Sequence, residues 1–176
     1  MTLDEITAAG IDPALALLPK GMDSKEARTM LLAIGLQESN FEFRQQLVGN
    51  PQKPTGPAKS FWQGELGGGM VAGVRTHKAT KPYAAKLYTH FSVEPVNRAI
   101  WDAIKDNDAL AAGLARLLLY SDPLRLPATS DEEGAWKLYL RTWRPGAWER
   151  GTAKQSADLR AKWKANHRKA VEYVNR

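Results

Sequence analysis

The residue of this sequence best placed for chemistry is Glu38, a carboxylate at the end of an apolar segment. The preceding stretch, Ala27 to Leu36, is rich in good helix formers and predicts a largely buried helix. Glu38 follows Leu31 by seven residues and Ile34 by four, so all three side chains leave that helix from one face. Removal from water raises the pKa of a carboxyl group, which a general acid needs near neutral pH.

A second interpretation of Glu38 stays open on spacing alone. The side chain would then mark the end of the helix, pointing into water or pairing with Arg44. Perturbed carboxylates also occur in structural ion pairs, so the pattern by itself does not decide between the two.

A second block with chemical potential is Gly56-Pro57-Ala58-Lys59-Ser60-Phe61-Trp62-Gln63. It follows a connector, Asn40 to Ser60, in which helical periodicity fails and glycine and proline are frequent. The glycines after it, at 64 and 67–69, permit close approach of the backbone to a ligand. They do not predict nucleotide binding, because the Lys-Ser/Thr pair of a P-loop is missing.

The elements that must position these blocks are predicted to be helices, so the fold class is mainly α with at most a small β element beside the loop. One domain, 1–176, is expected, with an N-terminal preamble, 1–22, packed on the central helix, and a basic C-terminal helix, 153–176. Predicted helices are Thr2 to Ala9 (stopped by Gly10), Asp12 to Leu18, Gly69 to Thr76, Lys81 to Phe91, Val93 to Lys105, Ala109 to Tyr120, Asp131 to Trp143 and Lys154 to Val174.

Composition narrows the classes of function. The chain of 176 residues has no cysteine and only three histidines, none at metal-binding spacing, so we expect no disulfide, no metal site and no cofactor. A net charge of +6 favours polyanionic surroundings such as nucleic acid, anionic lipid or bacterial cell wall. No nucleic-acid-binding motif accompanies the charge, so nucleic acid is not the preferred partner.

Two blocks resemble those of the lysozyme-like lytic transglycosylases, a group that includes goose-type lysozymes and bacteriophage cell-wall hydrolases. Gln37-Glu38-Ser39-x-Phe41 is similar to the helix-terminal Glu-Ser block that supplies the catalytic acid of the family. The segment from Gly56 to Gln63 is similar to the Gly-x-Ala-x-Gly-Leu-Met-Gln block, whose glutamine lines the saccharide cleft. Ser60 and Phe61-Trp62 depart from the glycine and Leu-Met of that pattern.

A third block, Ala115 to Ser121, is similar to the Ala-Tyr-Asn sequence that lies near the catalytic glutamate of the family. Tyr120 takes the place of the tyrosine, and Ser121 replaces the asparagine. Together the blocks imply a lysozyme-like helical domain with a cleft, in an outlying, bacteriophage branch of the group.

The resemblance also implies cleavage of the β-1,4 bond between N-acetylmuramic acid and N-acetylglucosamine in peptidoglycan. Glu38 would act as both acid and base and yield a 1,6-anhydro product. The implied substrate-binding residues are Ser39, Trp62 stacked on sugar rings, Gln63, and Tyr120 orienting Glu38. A hydrolytic lysozyme would need a second carboxylate, for which Glu65 and Glu42 are the candidates.

A non-catalytic phage virion or adaptor protein with a basic binding surface is the alternative outside the enzymes. For either function the expected partners are peptidoglycan, phage virion proteins and an anionic envelope surface bound by the C-terminal helix. The acidic start of the chain is not that of a signal peptide. We therefore expect synthesis in the cytoplasm of a bacterial host and action at the periplasm or cell wall, after lysis or as part of a virion.

Overall fold

The computed structural model describes all residues, 1–176, and its architecture is mainly helical, which confirms the predicted fold class. The α-helices are α1 Leu3–Ile6, α2 Asp12–Ala16, α3 Lys25–Ser39, α4 Val74–Thr76, α5 Lys81–His90, α6 Asn97–Ala103, α7 Asp108–Ser121, α8 Glu132–Trp143, α9 Gly146–Glu149 and α10 Ala153–Val174. The one sheet is an antiparallel pair, β1 Ala58–Lys59 and β2 Gly64–Glu65, in which Ala58 pairs with Glu65. No helix has the length and apolar character needed to cross a membrane.

Helix α3 is buried on every side along its second half, from Met30 to Gln37. The hydroxyl of Ser24 caps its start by accepting a hydrogen bond from the amide of Ala27 at 3.2 Å. Asn40 ends it in the left-handed conformation (φ 52°). A helix that is apolar all round belongs in a core, and α3 is therefore the element around which the others pack.

The core is one continuous apolar cluster whose members run from Ile6 to Ala170. Helix α10 lies along α3, and α7 packs against α2 and the turn before it. The last residues of α3 are therefore held by packing against an element more than a hundred residues away in sequence.

The N-terminal preamble differs from its prediction. Gly10 does not stop a helix; instead Thr7–Ile11 forms a π-helical turn that continues α1 into α2. Gly10 is buried there, and a Cβ atom on it would lie 3.3 Å from the carbonyl oxygen of Asp108, so the wider turn accommodates close approach to α7. The preamble packs mainly on α7, and it also touches the central helix, where Asp12 forms an ion pair of 2.6 Å with Arg28.

The connector after α3 is irregular, as the glycines and prolines predict. Two isolated bridges cross it, Gln45 with Lys59 and Val48 with Lys53, and they fold it back toward β1. The turn between β1 and β2 contains two non-glycine residues at positive φ, Ser60 (68°) and Gln63 (53°). This left-handed backbone brings the second sequence block around to the end of α3.

Candidate active site

Glu38 lies in the last turn of α3, partly buried, and its carboxylate is held by a tyrosine from a distant helix. The hydroxyl of Tyr139, in α8, donates a hydrogen bond of 2.7 Å to Oε1 of Glu38. Tyr139 is itself buried and stacks on Trp163 of α10, with ring centroids 4.7 Å apart. The carboxylate is therefore fixed by a side chain that has no freedom to move away.

The environment of Glu38 shifts its proton affinity toward neutrality. Burial raises the pKa of this carboxyl to about 7, and the negative charge of Glu65 acts in the same direction. The hydrogen bond from Tyr139 and the positive charge of Lys162 oppose the rise in pKa. A carboxyl group with a pKa near 7 is protonated in a large fraction of molecules at neutral pH, which suits a general acid.

The alternative pairing of Glu38 with Arg44 is wrong. Arg44 forms an ion pair of 2.7 Å with Asp108 at the start of α7, and its guanidinium lies 4.5 Å from the ring centroid of Phe61. No lysine or arginine nitrogen lies within 4 Å of the carboxylate of Glu38.

Ser39 joins the two sequence blocks physically. Its hydroxyl donates to the carbonyl oxygen of Phe61 at 2.8 Å, approaches that of Gly35 at 3.2 Å and accepts from the amide of Phe41 at 3.2 Å. With all these backbone contacts, Ser39 is a linker between α3 and the turn after β1. The substrate-binding role of Ser39 stays a prediction.

Phe41 packs back against its own helix and closes the same junction. Its ring is fully buried, lies 5.6 Å from that of Phe61 and covers Gly35, where an added Cβ atom would clash with the ring. Phe41 adopts positive φ (55°) directly after Asn40 (52°), so the chain reverses sharply at the end of α3. The absence of a side chain at position 35 makes this reversal possible.

Gln63 lies at the end of the turn between the strands, partly exposed. Its Nε2 donates to the carbonyl oxygen of Ser60 at 2.7 Å and makes a longer contact of 3.5 Å with that of Phe43. These bonds orient the amide and leave Oε1 without a protein donor. Oε1 can therefore accept a hydrogen bond from a hydroxyl group outside the protein.

Trp62 is wrong as a residue that stacks on sugar. Its side chain is fully buried, its Nε1 donates to the carbonyl oxygen of Leu31 at 2.9 Å, and its ring packs edge-on against Phe41. Phe61 and Trp62 are therefore both core residues. The partly exposed indole nearby is that of Trp143, which lies one helical turn after Tyr139. Nε1 of Trp143 donates to the carbonyl oxygen of Trp62 at 2.9 Å.

Tyr120 is wrong as the tyrosine that orients Glu38, because Tyr139 does so. Tyr120 is exposed at the end of α7, edge-on to Tyr83 and 5.9 Å from the guanidinium of Arg116. The sequence signal that could have identified the right residue is the buried stripe of α8, in which Trp136, Tyr139 and Trp143 follow at three and four residues.

The two candidate second carboxylates occupy different settings. Glu65 is exposed on β2, and its charge contributes to the raised pKa of Glu38. Glu42 is also exposed, accepts a hydrogen bond of 2.5 Å from Asn40, and acts electrostatically on Lys162. Of the two, Glu65 is the one whose charge acts on Glu38.

Several surface features lie outside this site. A cavity beside the end of α3 is lined by Asn40, Glu42 and Lys169, and two others lie near Tyr88 and Tyr173; Glu38 and Gln63 line none of the three. The cleft implied by the resemblance stays a prediction. No cluster of three or more histidine, cysteine or acidic residues could hold a metal ion.

Comparisons of the chain with protein-family models, with curated proteins and with solved structures find no match.

Proposed function

We propose that this protein is a muralytic enzyme that cleaves the MurNAc-GlcNAc bond of peptidoglycan as a lytic transglycosylase, with Glu38 as its single acid and base. The observation that carries the proposal is the setting of Glu38. Its carboxyl group is partly buried, bonded by Tyr139 and given a pKa of about 7 chiefly by burial, at a helix end tied to the Gln63 turn.

In the proposed reaction the carboxyl proton of Glu38 passes to the glycosidic oxygen as the bond from that oxygen to C1 of the muramic acid breaks. The resulting carboxylate then takes the proton of the C6 hydroxyl while that oxygen bonds to C1, which restores the acid and yields a 1,6-anhydro sugar. No water enters. Tyr139 would steady the carboxylate in its charged form, because a hydroxyl donor stabilises the anion.

The roles proposed for the substrate-facing groups depend on which part of each side chain has no partner within the protein or is exposed. Oε1 of Gln63 is available to accept from a sugar hydroxyl, since its Nε2 is already bonded to Ser60. The ring of Trp143, not that of Trp62, is the aromatic surface proposed to contact a sugar, because it is partly exposed and lies one turn from Tyr139.

A hydrolytic lysozyme is the second candidate, and the effect of Glu65 on Glu38 favours it. A carboxylate close enough to raise the pKa of Glu38 is also a candidate to activate a water at C1. Both mechanisms assign the proton donor to Glu38. They differ in the nucleophile at C1, which is the C6 hydroxyl or a water, and in whether Glu65 is required.

Mass spectrometry of purified peptidoglycan digested by the protein tests activity and mechanism together. Transglycosylation predicts anhydro-muramic ends, lighter than reducing ends by one water, from the native protein and from Glu65→Gln. Reducing ends that disappear in Glu65→Gln would instead support the lysozyme. The matched control is Glu94→Gln, an exposed carboxylate on another loop. Absence of any cleaved product from the native protein would overturn the proposal.

The partner proposed beyond peptidoglycan is the anionic envelope, reached by the outward cations of α10, and the place of action is the cell wall during phage release or entry. Arg160 does not belong to this surface, because it pairs with Glu132 of α8. Lys164 and Arg168 are exposed. Cleavage of intact walls by Lys164→Glu/Arg168→Glu as fast as by the native protein at low salt would contradict this partner.

A further inference from the structure

Helix α10 does more than present charge, because three of its residues bond to the residue that precedes Glu38. Nε2 of Gln37 donates to the carbonyl oxygen of Leu159 at 3.2 Å, and Oε1 of Gln37 accepts from Asn166 at 2.9 Å. Nζ of Lys162 donates to the carbonyl oxygen of Gln37 at 2.5 Å. Positions 159, 162 and 166 lie on one face of α10, so that face of the helix forms the hydrogen bonds to the end of α3.

The bond from Lys162 is made to a carbonyl in the last turn of α3. Carbonyl oxygens there have no partner within their own helix, and a lysine near them also interacts favourably with the negative end of the helix dipole. Here the lysine comes from another helix. Its ammonium is therefore fixed on the backbone of the same turn that carries the Glu38 side chain.

The charged and titratable groups around Glu38 come from three elements: Tyr139 of α8, Glu65 of β2 and Lys162 of α10. Lys162 is the cation of this group and lowers the pKa of Glu38, and it also experiences the charge of Glu42. Lys162 is exposed as a residue, yet partial burial lowers the pKa of its ammonium, and the two carboxylates oppose that change. Lys162 does not form an ion pair with Glu38 within 4 Å, and the carboxylate of Glu38 accepts its hydrogen bond from Tyr139.

We propose that Lys162 is a positioning residue for Glu38: its ammonium holds the last turn of α3 through the carbonyl oxygen of Gln37, and its positive charge favours the ionised form of the neighbouring carboxylate. The role in catalysis rests on the proposed function, whereas the effect on Glu38 does not. The geometry assigns this role to Lys162 and not to the other lysines of α10, which carry no bond to α3.

The test is a carbon-13 NMR titration of the Glu38 carboxyl, assigned by its loss in Glu38→Gln, together with the pH profile of peptidoglycan cleavage. Lys162→Met removes both bond and charge, Lys162→Gln removes the charge and retains a donor, and Lys162→Arg retains both. Lys86→Met, which removes an exposed lysine of α5 outside the proposed binding surface, is the matched control.

We expect the Glu38 midpoint to rise in Lys162→Met and Lys162→Gln by about half a pH unit, a change of about threefold in the ionisation constant. The alkaline limit of cleavage should move up by the same amount, and Lys162→Arg and Lys86→Met should behave as the native protein. Equal midpoints in Lys162→Gln and Lys86→Met would overturn the proposal, and Lys162→Gln decides the matter even if Lys162→Met fails to fold. If the native protein cleaves no peptidoglycan, the proposed function fails while the titration still measures the effect of Lys162.

Discussion

Glu38 and Arg116 are both ionisable side chains that apolar packing removes from water, yet only one of them is placed for chemistry. Arg116 lies in the middle of α7 and is 4% exposed, with Nε bonded to the carbonyl oxygen of Met22 at 2.8 Å and Nη1 buried without a partner. Burial lowers its pKa to about 10, so it stays charged at neutral pH. Glu38 lies at a helix end, partly exposed, and burial raises its pKa to about 7.

The difference shows that burial of a charge does not by itself identify a functional site. Burial acts on both groups in the same sense, since it disfavours the charged form of each. Glu38 differs because both of its protonation states are populated near pH 7. In addition, the end of its helix is joined by the hydroxyl of Ser39 to the turn that carries Gln63. Arg116 reaches a backbone carbonyl of the N-terminal region and holds two parts of the core together.

The largest expected effect is on the rate of peptidoglycan cleavage, and it distinguishes Glu38 from Arg116. Glu38→Gln retains the shape and the bond from Tyr139 but has no acid proton, so we expect cleavage to fall by about 1,000-fold or more. Arg116→Met, which removes a buried charge without touching the site, should change the cleavage rate by less than about twofold. The measurement is release of soluble fragments from purified peptidoglycan, with circular dichroism to verify folding. A folded Arg116→Met variant as inactive as Glu38→Gln would break the comparison.

The next effect tests which tyrosine serves Glu38. Tyr139→Phe removes the donor that lowers the pKa of Glu38, so we expect about a tenfold loss of rate and an alkaline limit of cleavage moved to higher pH. Tyr120→Phe is the matched control, because Tyr120 is exposed and contacts neither residue. Rate measurements across pH for both variants check this, and an unmoved alkaline limit in Tyr139→Phe would count against the assigned bond.

The smallest effect concerns stability and has a definite sign. A carboxyl whose pKa rises from 4.5 to about 7 on folding binds more protons in the folded state, so stability falls as pH rises through that range and the loss is complete above it. Glu38→Gln removes this cost. We expect it to exceed the native protein by about 2 kcal/mol, roughly 4–8 °C in Tm, at pH 8 and to match it near pH 4.5. Thermal melts at the two pH values decide it, and a difference independent of pH would refute the assigned shift.

The sequence predicted those parts of the site that depend on local spacing. The helix ending near Glu38 and the direction of its side chain follow from residues within seven positions, and α8 and α10 begin and end within a residue or two of their predicted bounds. The turn at Ser60 and Gln63 was marked by its neighbouring glycines, although the positive φ angles fall on the non-glycine residues themselves.

What could not be predicted depends on contacts between distant residues. Tyr139 and Glu38 form a hydrogen bond although they are 101 positions apart, and Asn166 and Gln37 do so at 129 positions apart. Local periodicity does not predict either contact. Asn166 is a polar residue on the face of α10 that meets α3, because the buried amide of Gln37 needs a hydrogen-bond partner. The charge of α10 predicts a binding surface, but composition does not reveal which face of the helix is buried, so the bonds of Leu159, Lys162 and Asn166 to Gln37 could not be predicted.

The glycine at position 35 has a consequence for engineering of the protein. Glycine inside a helix costs about 1 kcal/mol relative to alanine, and exchanging one for the other is among the simplest routes to a more heat-resistant protein. In α3 that route is closed, because the ring of Phe41 occupies the space that a methyl group would need. Directed evolution toward thermostability should therefore retain this glycine and find its gains on surfaces away from the end of α3.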